Sequence, residues 1–285
     1  MRREGGARER GSDELEQTGD FLLILTKTCL MERFICENVF VPLRSGPSHK
    51  AEMLSQVLFG EKYTIVEQAG IWLKIETEFD KYMGWVDSDH IQHSAVDDNT
   101  PGFVLNRSLL CHKNDDTKLV LEAGCEIFNP DFEKKTFSIG RNSYRTSEEF
   151  SNLLVTSNDS LPDTALKFIN SPYIWGGRIP SGIDCSGLTQ LVYKIHGIPI
   201  ARDSWKQSEA GRNIDFIDAA EPGDLVFFDN DRGKISHVGM ILSKDLIIHA
   251  SGRVRVDSID HQGIFQQDKK AYSHKLRLIR RIMER

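Results

Sequence analysis

No Cys-x-x-Cys pair occurs in this chain, and its five cysteines (Cys29, Cys36, Cys111, Cys125 and Cys185) are odd in number. A disulfide framework or a zinc site is therefore not expected, and a reducing compartment is the simpler setting. Long apolar runs are missing as well: no stretch approaches the roughly 20 residues that a membrane-spanning helix needs. Nor is there a basic block, and with a net charge of −6 the chain is not expected to bind nucleic acid. What remains is an ordinary globular composition, 39% hydrophobic and 27% charged over 285 residues. That length allows two or three domains with cores of their own.

Residues 1–33 read as a poorly ordered tail, with Met31 a candidate start. The apolar run Phe21–Leu25 is short for a signal peptide, and Glu4, Glu9, Asp13, Glu14 and Glu16 precede it. Short strands follow. Tyr63–Val66 and Trp72–Thr77 are β-rich on either side of a Gln-Ala-Gly turn, and Gly84-Trp85-Val86 leads to an Asp-Ser-Asp stop, the pattern of a small β-barrel. Leu119–Leu121, Cys125–Phe128 and Thr136–Ile139 repeat the theme more faintly and suggest a second barrel. Ser157–Asp163 is a polar linker, and Ser160 and Pro162 mark the start of a helix with Ala165, Phe168 and Ile169 as its apolar face.

The stretch Pro172–Gly187 carries the chemistry. Its glycine-rich approach delivers Cys185 to the first turn of a helix whose apolar residues, Leu188, Leu191, Val192 and Ile195, fall at helical spacing, with Gly197 as the stop. A helix N-terminus favours the thiolate, the nucleophilic form of cysteine. Such a nucleophile needs a base, best supplied by a histidine that a third polar group orients. Strands are expected at Asp224–Asp229, His237–Leu242 and Leu246–Ser251. If Leu242 pairs with Leu246 across the Ser-Lys-Asp turn, Gly239 faces His249, and His237 and His249 become diagonal neighbours on one face, roughly 7 Å apart at Cα. A one-residue slip would separate them. His49, His90, His93, His112, His196, His261 and His274 read as structural or exposed. Helices first and an antiparallel sheet afterwards make an α+β domain.

Five motifs in order resemble the NlpC-type papain-like cysteine peptidases of bacterial cell-wall peptides: Pro172-Tyr-Ile-Trp-Gly-Gly, Gly182-Ile-Asp-Cys-Ser-Gly-Leu, Glu221-Pro-Gly-Asp-Leu-Val-Phe-Phe, His237-Val-Gly-Met and Ile248-His-Ala-Ser. Val41-Pro-Leu-Arg-Ser-Gly-Pro-Ser, Gly-Ile-Trp-Leu-Lys-Ile and Gly-Trp-Val resemble a bacterial SH3-like domain. The whole is most similar to the YkfC-like γ-D-glutamyl-L-diamino acid endopeptidases. The resemblance implies an SH3-like domain over 34–95, a second over 96–156 and the papain-like α+β peptidase domain over 157–285.

By that resemblance Cys185 is the nucleophile, His237 the general base and acid, and His249 the residue that orients it. Tyr173 adds a hydroxyl to the oxyanion site, or is a packed aromatic beside Trp175. Asp203 pairs with the substrate's α-ammonium and Ser204 adds a hydrogen bond, while Glu52 and Tyr82 close the same pocket from the first barrel. Asp184 and Ser186 line the D-glutamate site, although Asp184 reads equally well as a helix cap. Ile200-Ala-Arg-Asp stands where the family has Leu-Pro-Arg-Asp, and Trp205 where it has tyrosine. The implied substrate is a murein peptide, L-Ala-γ-D-Glu-diamino acid, with a free N-terminus. No cofactor, metal or membrane insertion is expected, and a monomer in the cytoplasm is, with the periplasm as the alternative. An acyltransferase or amidase on another acyl group, and a non-catalytic wall-binding protein, are the competing functions.

Overall fold

The computed structural model describes residues 33–95, 102–154 and 159–283. The expected tail, with Cys29 and Met31, lies almost wholly outside these residues, as does part of the Ser157–Asp163 linker.

The first unit is a seven-stranded antiparallel sheet in the order Met53–Leu58, Phe40–Arg44, Met83–Asp87, Trp72–Thr77, Lys62–Ala69, Arg33–Cys36, His93–Ala95. Alternation drives it: in Trp72–Thr77 every second residue (Leu73, Ile75, Thr77) is buried. Its core gathers Val41, Leu43, Val57, Tyr63, Ile75 and Val86. Residues 102–154, expected to form a second barrel, make a four-stranded antiparallel sheet and a separate two-stranded ladder of Phe103–Val104 with Glu126–Ile127. Leu58 and Phe59 of the first unit join the second unit's core, beside Leu109, Cys111, Phe137 and Tyr144, so the two units share apolar packing.

In the third unit helix α1 spans Leu161–Leu166, capped as expected by Ser160, whose hydroxyl accepts from the Asp163 N–H at 3.2 Å. The helix is shorter than its apolar spacing suggests. The chain turns at 167–170, which leaves Ile169 exposed while Ala165 and Phe168 stay buried. Helix α2, Cys185–Ile195, is buried along its whole length. It packs on the outer face of a seven-stranded antiparallel sheet through Leu188, Leu191 and Val192 against Leu225, Phe227, Val238, Met240 and Ile248. A short helix α3 covers Ser204–Gln207.

The sheet is more than the layer expected from sequence. Its longest strand, Ala271–Arg281, pairs with Leu225–Asp229 on one side and with Gly263–Gln266 on the other, so the strands close into a ring. Val226, Phe228, Ile241, Ile247, Ile259, Ile264 and Ile279 fill its interior. The domain is thus a barrel carrying few helices. Strands Ile235–Ser243 and Leu246–Ser251 pair with Gly239 opposite His249, the register expected from sequence. The tip differs: an irregularity after Ile241 sets Ser243, not Leu242, opposite Leu246. Gly239 is required here, because a Cβ would lie 2.7 Å from Ile247 Cδ1 and 3.0 Å from His249 Cβ.

The three units are joined by buried charge. Glu61 of the first unit accepts from both terminal nitrogens of Arg178 at 2.8 Å and from Lys194 Nζ of α2 at 2.7 Å. Lys194 also reaches the Gly124 carbonyl at 2.9 Å and Glu126 at 2.8 Å in the second unit. Burial alone would raise the Glu61 carboxyl, but the two cations hold it down at about 2. Its contribution to stability is therefore complete above its ordinary value near 4.5 and disappears as pH falls from there towards 2. Glu61→Gln leaves two buried cations short of a partner and is expected to cost about 3–5 kcal/mol at neutral pH. Urea unfolding of both proteins checks this, and the gap between them should narrow once the pH drops below that of ordinary carboxylates.

Candidate active site

Cys185 opens α2, and the Asp184 carboxylate caps that helix by accepting from the Gly187 N–H at 2.7 Å. The thiol is 5% exposed, with the backbone N–H groups of Val238 and Ser186 directed at it. The helix end alone would favour a thiolate here, but burial works against it. Burial pushes the thiol up to about 12, and Asp184 acts in the same direction, against the N–H groups and Arg202. A carboxylate already sits on the positive helix end, so little of that field is left to ionise the cysteine.

The Val238 N–H that meets this thiol belongs to the strand that also carries His237. His237 Nε2 lies 2.9 Å from His249 Nδ1, and His249 Nε2 lies 2.9 Å from Asp257 Oδ2. Their order sets the tautomers. A carboxylate only accepts, so His249 carries its proton on Nε2 and its Nδ1 accepts from His237 Nε2–H. His237 Nδ1 is then the free lone pair, the one that can take a proton from a thiol. Burial, then His274 and His249, hold His237 well below 6.5, so it rests neutral.

Asp257 was missed in the sequence. It stands on Arg253–Ile259, opposite Ile247 and diagonal to His249, and Arg255 donates to it at 2.8 Å. The alternating run Arg-Val-Arg-Val-Asp-Ser-Ile was the signal that could have found it. His274, read as structural or exposed, lies against the histidine pair: its ring stacks on His237 at 4.1 Å and 21°, with the His249 ring 5.7 Å away.

The remaining expected residues fall into two groups. Asp184 is buried as the helix cap and also receives Arg202 at 2.6 Å and the Gly176 N–H at 2.8 Å. Ser186 is buried too, accepting from Arg202 at 2.8 Å. Arg202, itself 2% exposed, continues to Ser55 of the first unit at 3.2 Å and was another residue the sequence reading passed over. Tyr173 is half-buried; burial raises its hydroxyl to about 12, with Cys185 and Asp184 adding to the effect, so it stays a donor.

The second group is open. Asp203 precedes α3, Ser204 begins it, and Tyr82 of the first unit donates to Asp203 Oδ1 at 3.1 Å. Glu52 accepts from Trp175 Nε1 at 2.7 Å, and Trp175 and Trp205 are exposed. Gly176 allows this approach: a Cβ there would lie 2.4 Å from the Met53 carbonyl of the first unit. Both first-unit residues named from sequence thus meet the domain that holds Cys185.

Residues 170–273 match the NlpC/P60 family, and residues 43–91 match the bacterial dipeptidyl-peptidase SH3 domain. This chain carries an NlpC/P60 domain. Similar proteins include the γ-D-glutamyl-L-lysine dipeptidyl-peptidase of Bacillus cereus, 29% identical over 69% of this chain and 66% of that protein. Dipeptidyl-peptidase 6 of Lysinibacillus sphaericus is 28% identical over 79% of this chain and 92% of its own length. Among solved structures, an NlpC/P60 family protein from Bacillus cereus shares the fold, with a TM-score of 0.74 at 21% identity, covering 88% of this chain and all of that one.

Within the NlpC/P60 domain, a neutral resting thiol has a measurable consequence. The rate of Cys185 alkylation by iodoacetamide, followed by peptide mass spectrometry, should climb steadily between about pH 7 and 9. A rate already flat across that range would mean a preformed thiolate. Asp257→Asn should keep the fold and lower kcat by roughly 10- to 100-fold, because an amide can donate to His249 and invert both tautomers.

Proposed function

We propose that this protein is a cysteine peptidase that releases L-alanyl-γ-D-glutamate from murein peptides by cutting the γ-D-glutamyl-L-diamino acid bond. The observation that carries this reading is the pairing of Tyr82 with Asp203 and Glu52 with Trp175 across the unit boundary. It gathers two carboxylates at the boundary between the first unit and the unit that holds Cys185, as a substrate with a short, positively charged amino end requires. The names of its relatives, dipeptidyl-peptidases with γ-D-glutamyl-L-lysine among their substrates, agree with that shape.

In this mechanism His237 Nδ1 takes the Cys185 proton as sulfur attacks the γ-carbonyl. Neither group needs to be charged beforehand, because the transfer creates both charges together, each stabilising the other. The imidazolium is held through His249 by Asp257. The Cys185 N–H and the Tyr173 hydroxyl face the oxyanion, His237 returns its proton to the leaving amine, and water releases the acyl group. Asp203 and Glu52 receive the α-ammonium and Ser204 a neighbouring polar atom, while Asp184 and Ser186 hold the wall against which the D-glutamyl group rests. The four described cysteines are all unpaired, which suits a cytoplasmic role in recycling wall peptides.

L-Ala-γ-D-Glu-L-Lys is expected to yield L-Ala-γ-D-Glu and lysine, and its N-acetylated form to react roughly 100-fold more slowly, since a blocked amine leaves two carboxylates unmatched. Mass spectrometry of timed digests reads both. Equal rates on the two peptides would defeat the dipeptidyl assignment, and turnover surviving in Cys185→Ser would defeat the nucleophile.

A further inference from the structure

The barrel mouth holds one more arrangement that peptide hydrolysis does not use. One ring nitrogen each from His237, His249 and His274 lies within 4.8 Å of the other two. The closest pair, His237 Nε2 and His249 Nδ1, is 2.9 Å apart. That is near the ligand–ligand edge of a tetrahedral zinc site, roughly 3.3 Å for Zn–N bonds of about 2.0–2.1 Å. The geometry points to an inhibitory zinc site in which the ion replaces the proton shared by His237 and His249 and takes His274 as its third ligand.

Three further features fit an ion here. His249 passes its other N–H to Asp257 at 2.9 Å, the carboxylate–histidine arrangement that orients and strengthens zinc-binding imidazoles. Ser273 Oγ engages His274 Nδ1 at 2.9 Å, which leaves Nε2 for the metal. Finally, His274 lines an open cavity of about 610 Å³ with Asp229, Asp231 and His261. The cavity gives the ring space to tilt out of its stack on His237, and its carboxylates draw cations to the entrance. Elsewhere among the described residues, the exposed His49 and His90 form a second group with the buried Asp87.

The consequence for catalysis follows from proton bookkeeping. An ion on His237 Nε2 needs the lone pair there, so the proton moves from Nε2 to Nδ1. The nitrogen that would accept the Cys185 proton is then already protonated, and hydrolysis stops with no change at the thiol. This inhibition rests on the peptidase assignment, whereas binding of the metal does not.

The test uses the full-length protein, zinc sulfate, and a metallochromic indicator to read binding independently of activity. One tight equivalent is expected, retained in Cys185→Ser and in the His49→Ala/His90→Ala variant. His274→Phe keeps a ring against His237 but removes the ligand; zinc binding, and zinc inhibition measured against that variant's own metal-free turnover, should both weaken by about tenfold or more. Inhibition undiminished in His274→Phe, binding lost in Cys185→Ser, or binding that disappears with His49 and His90 would each overturn the site. If no peptide is cleaved by any form, the peptidase reading fails, and the indicator titration still decides whether the three histidines bind zinc.

Discussion

Everything at the catalytic end depends on one buried carboxylate. Glu61 sits at a turn of the first unit, far from Cys185 in the chain, yet it neutralises Arg178 on the approach to the nucleophile and Lys194 near the end of the nucleophile's helix. Those cations are fully enclosed, and no arrangement that separates the units leaves them paired. Docking of the first unit is thereby coupled to folding of the third. Once docked, its residues Glu52 and Tyr82 meet Trp175 and Asp203 of the third unit, and Ser55 accepts from Arg202, the residue that grips the helix cap. Glu52 and Tyr82 on one unit and Cys185 on another hold a fixed relation through the charges buried between those units.

The site combines rigid positioning with a resting state that is electrically quiet. His237, His249 and Asp257 are buried and joined end to end, so the His237 ring has little rotational freedom. Burial meanwhile keeps both the thiol and the imidazole neutral. A buried thiol kept neutral is protected from oxidation and adventitious alkylation, which proceed through the thiolate. Such protection suits an enzyme whose other described cysteines are equally inert in the core.

Much of this was legible in local patterns. The helix beginning at Cys185, its apolar face and its glycine stop follow from spacing. The pairing of Gly239 with His249 follows from counting back from a short turn, and it holds even though the tip is irregular, because burial of Ile241, Ile247 and Ile248 pins the register upstream of the turn. What escaped were contacts that depend on distant strands. Asp257 becomes relevant only once Arg253–Ile259 is laid beside Leu246–Ser251, and His274 only once the ring has closed. Glu61 reads as a surface glutamate beside a glycine turn, and its partners lie 117 and 133 residues away. The open sheet expected for the third unit became a barrel for the same reason, since no local pattern announces that one long strand has two neighbours.

Ring closure also has a meaning in time. Ala271–Arg281 is the latest in the chain of the strands that build the barrel, and it supplies both the floor beneath Phe228 and the ring that lies on His237. While a ribosome is still extending the chain, the helix that opens at Cys185 and both His237 and His249 are already made, but the ring of strands around them has no closing side. The barrel is therefore closed only when that strand is in place, and until then His237 lacks the ring of His274 against it.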